Sequence, residues 1–406
     1  MPLALLALAI GAFGIGTTEF AVMGLLPDMA AGFGISIPLA GYATTLYALG
    51  VVVGAPLMTA FGTRFTRKQM LMLLMGLFIA GNLLTAVAPT FGILLAGRIV
   101  AAFTHGAFFG IGALVAADLV APQKRATAIS LMFSGLTLAN VVGVPVGTLL
   151  SQHFDWRTTF YVITALGVIG LLGIVKLIPA QRAKAASPIG SELAVFRNPQ
   201  VGLAMLMTIL GFGGVFAAVT YLASMMTEVT GLAPSSVIWL TAVFGLGMVG
   251  GNLVSGRFTD RAMMPMLFVS MTGLALSLAA FTFTAHSKIA AILTIALIGI
   301  FGFATVPPLQ KRVMDQAASA PTLASAGNIA AFNFGNALAA WLGGLVISAG
   351  LGYTAPNWVG ALMTAAALGV AIFATALERR QKGRSQAVAA GGPAADADES
   401  VPATHS

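Results

Sequence analysis

Three ionisable side chains lie within long apolar segments of the sequence, where a charge is costly. They are Glu19, Arg98 and His105. An ionised side chain inside a membrane span costs at least about 2.5–3.5 kcal/mol on insertion scales, so such residues are candidates for function. A carboxylic acid near a fixed cation can take up and release a proton, and histidine can pass a proton on. We predict that Glu19 exchanges a proton and that Arg98 biases the charge state of Glu19.

The same three residues also allow structural interpretations. Glu19 and Arg98 can form an ion pair that only locks two helices together, or Glu19 can extend its carboxylate toward the membrane surface. His105 follows Arg98 by seven residues, which places both on one face of a helix. His105 is therefore either a proton relay or a neutral histidine bonded across helices.

Uncharged polar side chains in apolar segments are candidates for lining a substrate cavity. We assign this role to Thr17, Thr18, Asn140, Asn328, Asn333 and Asn336. Asparagine in a membrane span commonly bonds to a neighbouring helix, which is the structural alternative. Tyr42 and Tyr47 are instead expected to be interfacial or packing residues.

The composition indicates what surrounds these side chains. Hydrophobic residues make up 58% of the chain and charged residues 8%, whereas soluble domains carry about 25% charged residues. A span needs roughly 20 mostly apolar residues. About twelve such stretches are predicted, at 4–26, 39–61, 70–88, 91–117, 126–151, 157–178, 200–226, 237–258, 264–285, 289–309, 323–349 and 356–377.

The basic residues predict the orientation of these spans. All but three of the 20 Lys and Arg residues fall in one set of alternate loops or at the C-terminal end, the exceptions being Arg98, Arg157 and Lys288. Loops rich in Lys and Arg face the cytoplasm, so both termini are predicted to be cytoplasmic. On this topology, at about 1.5 Å per residue, Glu19 and Arg98 lie at a similar depth, roughly 10–12 Å from the outer boundary.

The chain divides into two related parts. We predict a six-helix bundle over 1–178, a cytoplasmic linker over 179–199, a second six-helix bundle over 200–377 and a disordered cytoplasmic tail over 378–406. A single offset aligns Gly54 with Gly251, Phe61 with Phe258 and Arg64 with Arg261. Such a repeat is typical of carriers that bind substrate between two halves.

The fifth predicted span has an unusual backbone composition. It carries Gly143, Pro145 and Gly147 within eight residues of Asn140. Small residues allow helices to approach closely, and proline bends a helix. This segment is a hinge or a seal in a moving carrier, and simply a tightly packed segment in a static bundle.

Several stretches together resemble a known family. They are Gly16-Thr17-Thr18-Glu19-Phe20, Arg98 through His105-Gly106, Gly143-Val144-Pro145 and Asn333-Phe334-Gly335-Asn336. The chain resembles the major facilitator superfamily, and specifically the arabinose-efflux-permease-like and chloramphenicol-resistance-like exporters of its drug:proton antiporter branch. The resemblance implies an all-α membrane protein with twelve helices in two pseudo-symmetric six-helix bundles, alternating access and proton-driven export. The family's fourth-helix arginine, associated with proton coupling, matches Arg98.

The family's loop motif, Gly-x-x-x-Asp-Arg-x-Gly-Arg-Arg/Lys, is present in two unequal copies. The first copy retains Arg64 and Arg67 but has threonine at both glycine positions and at the aspartate position. The second copy keeps Gly256, Asp260 and Arg261. We predict that these residues, with Gly143, Pro145 and Gly147, serve the conformational change.

We predict proton-coupled efflux of small amphiphilic compounds or drugs from the bacterial inner membrane. A sugar or nucleoside exporter of the same fold is the alternative within transport. A non-transporting sensor or scaffold is the alternative from another class, and it predicts a large soluble effector domain. We expect no enzymatic activity, no cofactor, no metal and no nucleic-acid partner, because no catalytic or metal-ligand cluster is seen and cysteine is absent. The expected partners are a small-molecule substrate, protons and lipid, and the protein is expected to be a monomer.

Overall fold

The computed structural model describes residues 3–62, 65–121, 124–179, 193–317 and 321–390. Within these residues the chain is helical and without strands, and twelve segments are long and apolar enough to cross a membrane. This confirms the predicted all-α membrane fold. We number the segments spans 1 to 12.

The first six spans are built from helices with the following bounds. Span 1 is Leu3–Phe20, span 2 is Ile37–Ala40 with Tyr42–Gly62, span 3 is Arg67–Ala86, span 4 is Phe91–Ala102 with His105–Asp118, span 5 is Arg125–Leu138 with Val144–His153, and span 6 is Trp156–Leu177. A π-helical turn, Ala139–Gly143, joins the two parts of span 5. A further helix, Val22–Phe33, follows span 1.

The remaining spans have the same overall arrangement. Span 7 is Pro199–Val219, spans 8 and 9 are Val237–Thr284 with a break at Ala262, span 10 is Lys288–Ala304 with Val306–Gln316, span 11 is Pro321–Ser348, and span 12 is Ala355–Ala390. Short helices precede span 7 at Leu193–Arg197 and follow it at Leu222–Glu228 and Pro234–Ser236.

Two predicted limits are wrong. Span 1, expected to run to residue 26, breaks at Ala21 and is followed by a second helix to Phe33. Span 12 continues as helix to Ala390, so residues 378–390 are not the disordered segment that we expected. Hydropathy finds where a chain leaves the hydrocarbon, but a polar segment of good helix formers does not end a helix. Residues 391–406 lie outside the described residues.

The helix packing repeats between the two halves. Span 1 packs against spans 5 and 6, and span 3 packs against spans 4 and 6. Equivalently, span 7 packs against spans 11 and 12, and span 9 packs against spans 10 and 12. The halves meet where span 2 contacts span 11 and where span 5 contacts span 8. The chain therefore forms two pseudo-symmetric six-helix bundles. The boundary at 179–199 stays a prediction, because residues 180–192 lie outside the described part.

Two glycines show the repeat at atomic level. A Cβ added to Gly135 of span 5 would collide with the carbonyl oxygen of Ala9 in span 1. A Cβ added to Gly335 of span 11 would collide with the carbonyl oxygen of Ile209 in span 7. Backbone atoms cannot move aside as a flexible side chain can, so both helix pairs depend on glycine for their close approach.

Replacing Gly335 with valine is therefore expected to destabilise the bundle. Overpacking at such a contact costs about 1–3 kcal/mol, and we expect the thermal unfolding midpoint of the detergent-purified protein to fall by several degrees. Gly76→Val is the control, because nothing lies within 4 Å of a Cβ added at Gly76. Equal midpoints for the two variants would contradict the proposed helix contact.

The two ends of the bundle differ in charge. Arg67, Lys124, Lys176, Arg197 and Lys311 lie at the ends of spans that meet on one side, which we call the basic end. The connections between spans 1 and 2, and between spans 7 and 8, form the other side, which we call the opposite end.

Candidate functional site

A cavity with a volume of about 330 Å³ lies between the two halves. Spans 1, 4 and 5 supply one wall, and spans 7, 8, 10 and 11 supply the other. Twelve of its nineteen lining residues are apolar, and six of these are phenylalanine. The polar lining residues are Glu19, His105, Thr137, Asn140, Asn252, Asn333 and Asn336.

The halves close over the cavity at the opposite end. The helix Val22–Phe33 of the first half packs against Leu222–Glu228 of the second. Gln152 Nε2 donates a hydrogen bond to the carbonyl oxygen of Pro234 at 2.5 Å. These contacts bridge the halves beyond the cavity and separate it from that side.

Exposure increases toward the basic end of the cavity. Phe20 and Phe212, in the deep part of its wall, are 4% and 5% exposed. Phe133 and Leu253, which lie closer to the basic ends of spans 5 and 8, are 37% and 61% exposed. Spans 5 and 8 contact each other through Ala139–Gly143 and Val144–His153, on the side of the opposite end, so the described structure is open toward the basic end.

Glu19 and His105 meet on the cavity wall. The Glu19 Oε2 atom lies 3.9 Å from His105 Nδ1, and the two side chains are 10% and 8% exposed. Both stand beside helix interruptions, since span 1 breaks at Ala21 and the second helix of span 4 begins at His105. Of the three ionisable residues singled out in the sequence, Glu19 and His105 therefore lie next to each other.

Tyr47 links this pair to Arg98. The Tyr47 hydroxyl lies 3.3 Å from the same His105 Nδ1 atom, and the Arg98 guanidinium stacks over the Tyr47 ring with Cζ 4.2 Å from its centroid. Which group donates the hydrogen bond depends on the histidine tautomer. The four side chains form a chain of contacts, which we call the Glu19–Arg98 relay, consisting of Glu19, His105, Tyr47 and Arg98.

Arg98 is fully buried at 0% exposure. Its Nη1 donates to the carbonyl oxygen of Thr18 at 2.7 Å and to Thr18 Oγ1 at 3.1 Å, and its Nε donates to the carbonyl oxygen of Ala43 at 3.3 Å. The direct ion pair with Glu19 that the sequence allowed is not seen among the described residues, where the Glu19 carboxylate lies beside His105. Arg98 is instead held by backbone and hydroxyl oxygens of spans 1 and 2.

Of the two roles expected for Tyr47, interfacial or packing, the structure shows packing. Tyr47 is 2% exposed and lies near the middle of span 2, not at the membrane surface. Its place at the centre of an apolar segment is a signal that sequence reasoning could have used, since interfacial tyrosines lie near the ends of spans. Tyr42, at the start of the longer helix of span 2, is 37% exposed.

The predicted cavity residues divide into two groups. Asn140, Asn333 and Asn336 line the cavity, whereas Thr17, Thr18 and Asn328 are not among its lining residues. Thr17 donates to the Phe13 carbonyl, Thr18 contacts Arg98, and Asn328 donates to Gln310 Oε1 at 2.8 Å. The phenylalanines and Asn252 are lining residues that the sequence did not single out.

The π-helical turn of span 5 places Asn140 between the halves. Pro145 lacks an N–H and its ring disfavours the normal bond to the carbonyl four residues earlier, and the widened turn Ala139–Gly143 directly precedes it. The Asn140 carbonyl faces Gly245 of span 8, where an added Cβ would lie 2.5 Å away. Gly143 packs against Thr17, and Gly147 packs against Thr159. Span 5 is thus irregular at its contact with the second half.

The loop-motif residues are only partly described. Arg67 contacts Asp118 at 2.5 Å, which joins the start of span 3 to the end of span 4. Gly256 has nothing within 4 Å of an added Cβ, and Arg261 is exposed beside the break at Ala262. Arg64 lies outside the described residues, and Asp260 is described in its backbone only. A conformational role for these residues stays a prediction.

Comparison with known proteins agrees with this architecture. The profile of the Major Facilitator Superfamily matches residues 8–328 and 225–399. The chain is 46% identical to the inner membrane transport protein YdhP of Escherichia coli O157:H7, over 86% of this chain and 90% of that protein. It is 35% identical to the chloramphenicol resistance protein of Streptomyces lividans, over 88% of this chain and 91% of that protein. The structure of a D-xylose-proton symporter superposes with a TM-score of 0.72 at 15% identity, covering 91% of this chain and 96% of that one.

The chain belongs to the Major Facilitator Superfamily. It is a multi-pass secondary transporter of small molecules that works by alternating access, and not an enzyme. The closed opposite end and the opening at the basic end correspond to one of the two alternating states.

The stack between Arg98 and Tyr47 leads to a stability prediction. Tyr47→Phe removes the hydroxyl but keeps the ring under the guanidinium, whereas Tyr47→Leu removes both. A desolvated cation–π contact is worth about 2 kcal/mol, so we expect Tyr47→Leu to lower the thermal midpoint by several degrees and Tyr47→Phe to lower it much less. Tyr161→Leu serves as the control, because Tyr161 is 47% exposed. Equal losses for Tyr47→Leu and Tyr161→Leu would contradict a stabilising stack.

Proposed function

We propose that the protein exports small amphiphilic compounds in exchange for protons. The observation that carries this proposal is the composition of the cavity wall. It is mostly aromatic and aliphatic, yet it includes the contacting ionisable pair Glu19 and His105. The apolar part of a substrate can pack against the aromatic side chains of the wall, while Glu19 and His105 exchange a proton.

The Glu19–Arg98 relay supplies a physical basis for coupling. Burial favours the neutral form of Glu19, whereas the permanent charge of Arg98 favours its carboxylate. These opposing effects make the charge of Glu19 sensitive to what else occupies the cavity. The His105 Nδ1 atom lies near both the Glu19 carboxylate and the Tyr47 hydroxyl, so the protonation of Glu19 influences which of the two groups His105 bonds to.

The proposed topology sets the side from which a substrate enters the cavity in this state. Placing the basic end in the cytoplasm, with both chain termini on that side, obeys the positive-inside rule. The cavity then opens to the cytoplasm and is ready to take up a compound for export. The relative named as a chloramphenicol resistance protein supports such a role.

A second candidate, export of a sugar or nucleoside, is favoured by one observation. Asn140, Asn252, Asn333 and Asn336 present four amides to the cavity, and amides bond readily to hydroxyl groups. The six phenylalanines favour the amphiphile, because a strongly hydrated sugar gains less from an apolar wall.

Glu19→Gln is expected to abolish gradient-driven transport while keeping substrate exchange. Glutamine retains the shape but cannot ionise, so an imposed pH gradient no longer drives the cycle. Proteoliposomes with an acidic interior are mixed with radiolabelled chloramphenicol, an uncharged compound that a pH gradient does not concentrate by itself. We expect accumulation with the unsubstituted protein, and only equilibration with Glu19→Gln.

Glu228→Gln is the matched control, because Glu228 is exposed at the opposite end. It should accumulate the compound as the unsubstituted protein does. Counterflow exchange without a gradient checks that Glu19→Gln still binds and moves substrate. Full gradient-driven accumulation by Glu19→Gln would overturn the assignment of the proton to Glu19.

A further inference from the structure

Resting on the proposed export function, we infer a narrower substrate class from span 11. The cavity selects an uncharged amphiphile that carries at least two neighbouring hydrogen-bond donors, hydroxyl or amide N–H, beside its apolar body. Asn333 and Asn336 accept these donors. The inference goes beyond the coupling of protons, which concerns the opposite wall of the cavity.

The orientation of the Asn333 amide is fixed by one hydrogen bond. Its Nδ2 donates to the carbonyl oxygen of Ile329 at 3.0 Å, and an amide turned the other way would bring two oxygens together. The Oδ1 atom therefore points away from the helix backbone. It is buried and has no hydrogen-bond partner in the described protein, although the residue lines the cavity.

Asn336 lies three residues further along the same face of span 11. Residues three apart on a helix have Cβ atoms about 5–6 Å apart, a spacing that suits neighbouring donors on one small molecule. The Asn336 Oδ1 atom is also buried without a protein partner, and the residue is only 3% exposed. Buried acceptors are normally satisfied. The Asn328 Oδ1 atom is also unpaired, but Asn328 does not line the cavity, so Asn333 and Asn336 are the asparagines of span 11 placed to meet a ligand that donates.

The surroundings of the two amides are apolar. The Phe332 ring packs edge-on against Phe212 at 4.9 Å, and Phe212 packs against Phe303 at 5.2 Å. The alignment of the halves that matches Gly135 of span 5 with Gly335 of span 11 also matches Phe133 with Asn333 and Leu136 with Asn336. Span 5 therefore has apolar side chains at the two positions where span 11 has amides. Donors on the substrate therefore face span 11, while its apolar body faces the aromatic groups and span 5.

This geometry also defines what the cavity rejects. A compound with only ether or ester oxygens has no donor for the Asn333 and Asn336 oxygens and leaves both of them unpaired. A site built to bond a hydroxyl discriminates strongly against an analogue that lacks it. The donors, and not the apolar body alone, then set affinity.

The test compares paired ligands on the purified full-length protein. Chloramphenicol, which carries two hydroxyls and an amide N–H, is compared with its diester, in which both hydroxyls are acetylated. Aryl glycosides are compared with their fully methylated ethers in the same way. We expect each donor-bearing compound to bind about tenfold more tightly than its blocked partner, measured by isothermal titration calorimetry.

Asn333→Leu and Asn336→Leu remove an acceptor while keeping a similar volume. Each is expected to reduce the ratio between paired ligands toward one. Asn328→Leu is the control, because Asn328 is on the same span but outside the cavity lining, and it should leave the ratio unchanged. Since the ratio compares two ligands on one sample, partial loss of folded protein does not alter it.

Two results would overturn the inference. The first is equal binding of the donor-bearing and the blocked compound in every pair, which includes the case in which neither binds. The second is an affinity ratio between paired ligands that is unchanged in both Asn333→Leu and Asn336→Leu. Gradient-driven accumulation of a donor-free apolar compound, seen together with either result, would leave the proposed proton-coupled export standing. Loss of gradient-driven transport for all compounds would instead contradict the proposed function.

Discussion

A buried permanent charge constrains the centre of this transporter. Arg98 has no contact with water and cannot give up its proton, so its cost of several kcal/mol must be offset locally. The Thr18 and Ala43 carbonyls and the Tyr47 ring supply that compensation. Because these partners come from spans 1 and 2, Arg98 of span 4 ties three helices together. Among the described residues no carboxylate pairs with Arg98 directly, so its field reaches Glu19 across Tyr47 and His105.

The fold is symmetric, but the chemistry is not. Gly135 and Gly335 make the same backbone contact in the two halves, and the helix pairs repeat. Glu19, Arg98 and His105 all belong to the first half, whereas Asn333 and Asn336, the two cavity amides whose oxygens lack a protein partner, belong to the second. One half therefore carries the proposed proton site and the other carries the proposed substrate acceptors. Movement of one half relative to the other changes the distance between the two sites, which is a direct way to couple them.

The features that could be predicted from the sequence depend on the thickness of the hydrocarbon layer and on the free-energy cost of placing a charge inside it. The twelve spans follow from runs of about 20 apolar residues, and Glu19, Arg98 and His105 stood out because an ionisable group is rare in such runs. Rotation about a helix axis was harder to predict. Asn328 and Asn333 are five residues apart, which at 3.6 residues per turn places them on different faces, and only Asn333 lines the cavity. The partner of Arg98 depends on side-chain geometry across helices, so equal depth suggested Glu19 while the structure shows Thr18 and Tyr47.

The proposed exchange requires the charge of Glu19 to change when substrate enters the cavity. Proton release on ligand binding tests it most directly. Purified protein in a weakly buffered solution with a pH indicator is titrated with chloramphenicol over a series of starting pH values. We predict release of up to about one proton per protein, with a maximum at the pH where Glu19 is half protonated, and none from Glu19→Gln. Equal proton release from Glu19→Gln, or no release from the unsubstituted protein at any pH despite binding, would contradict the account.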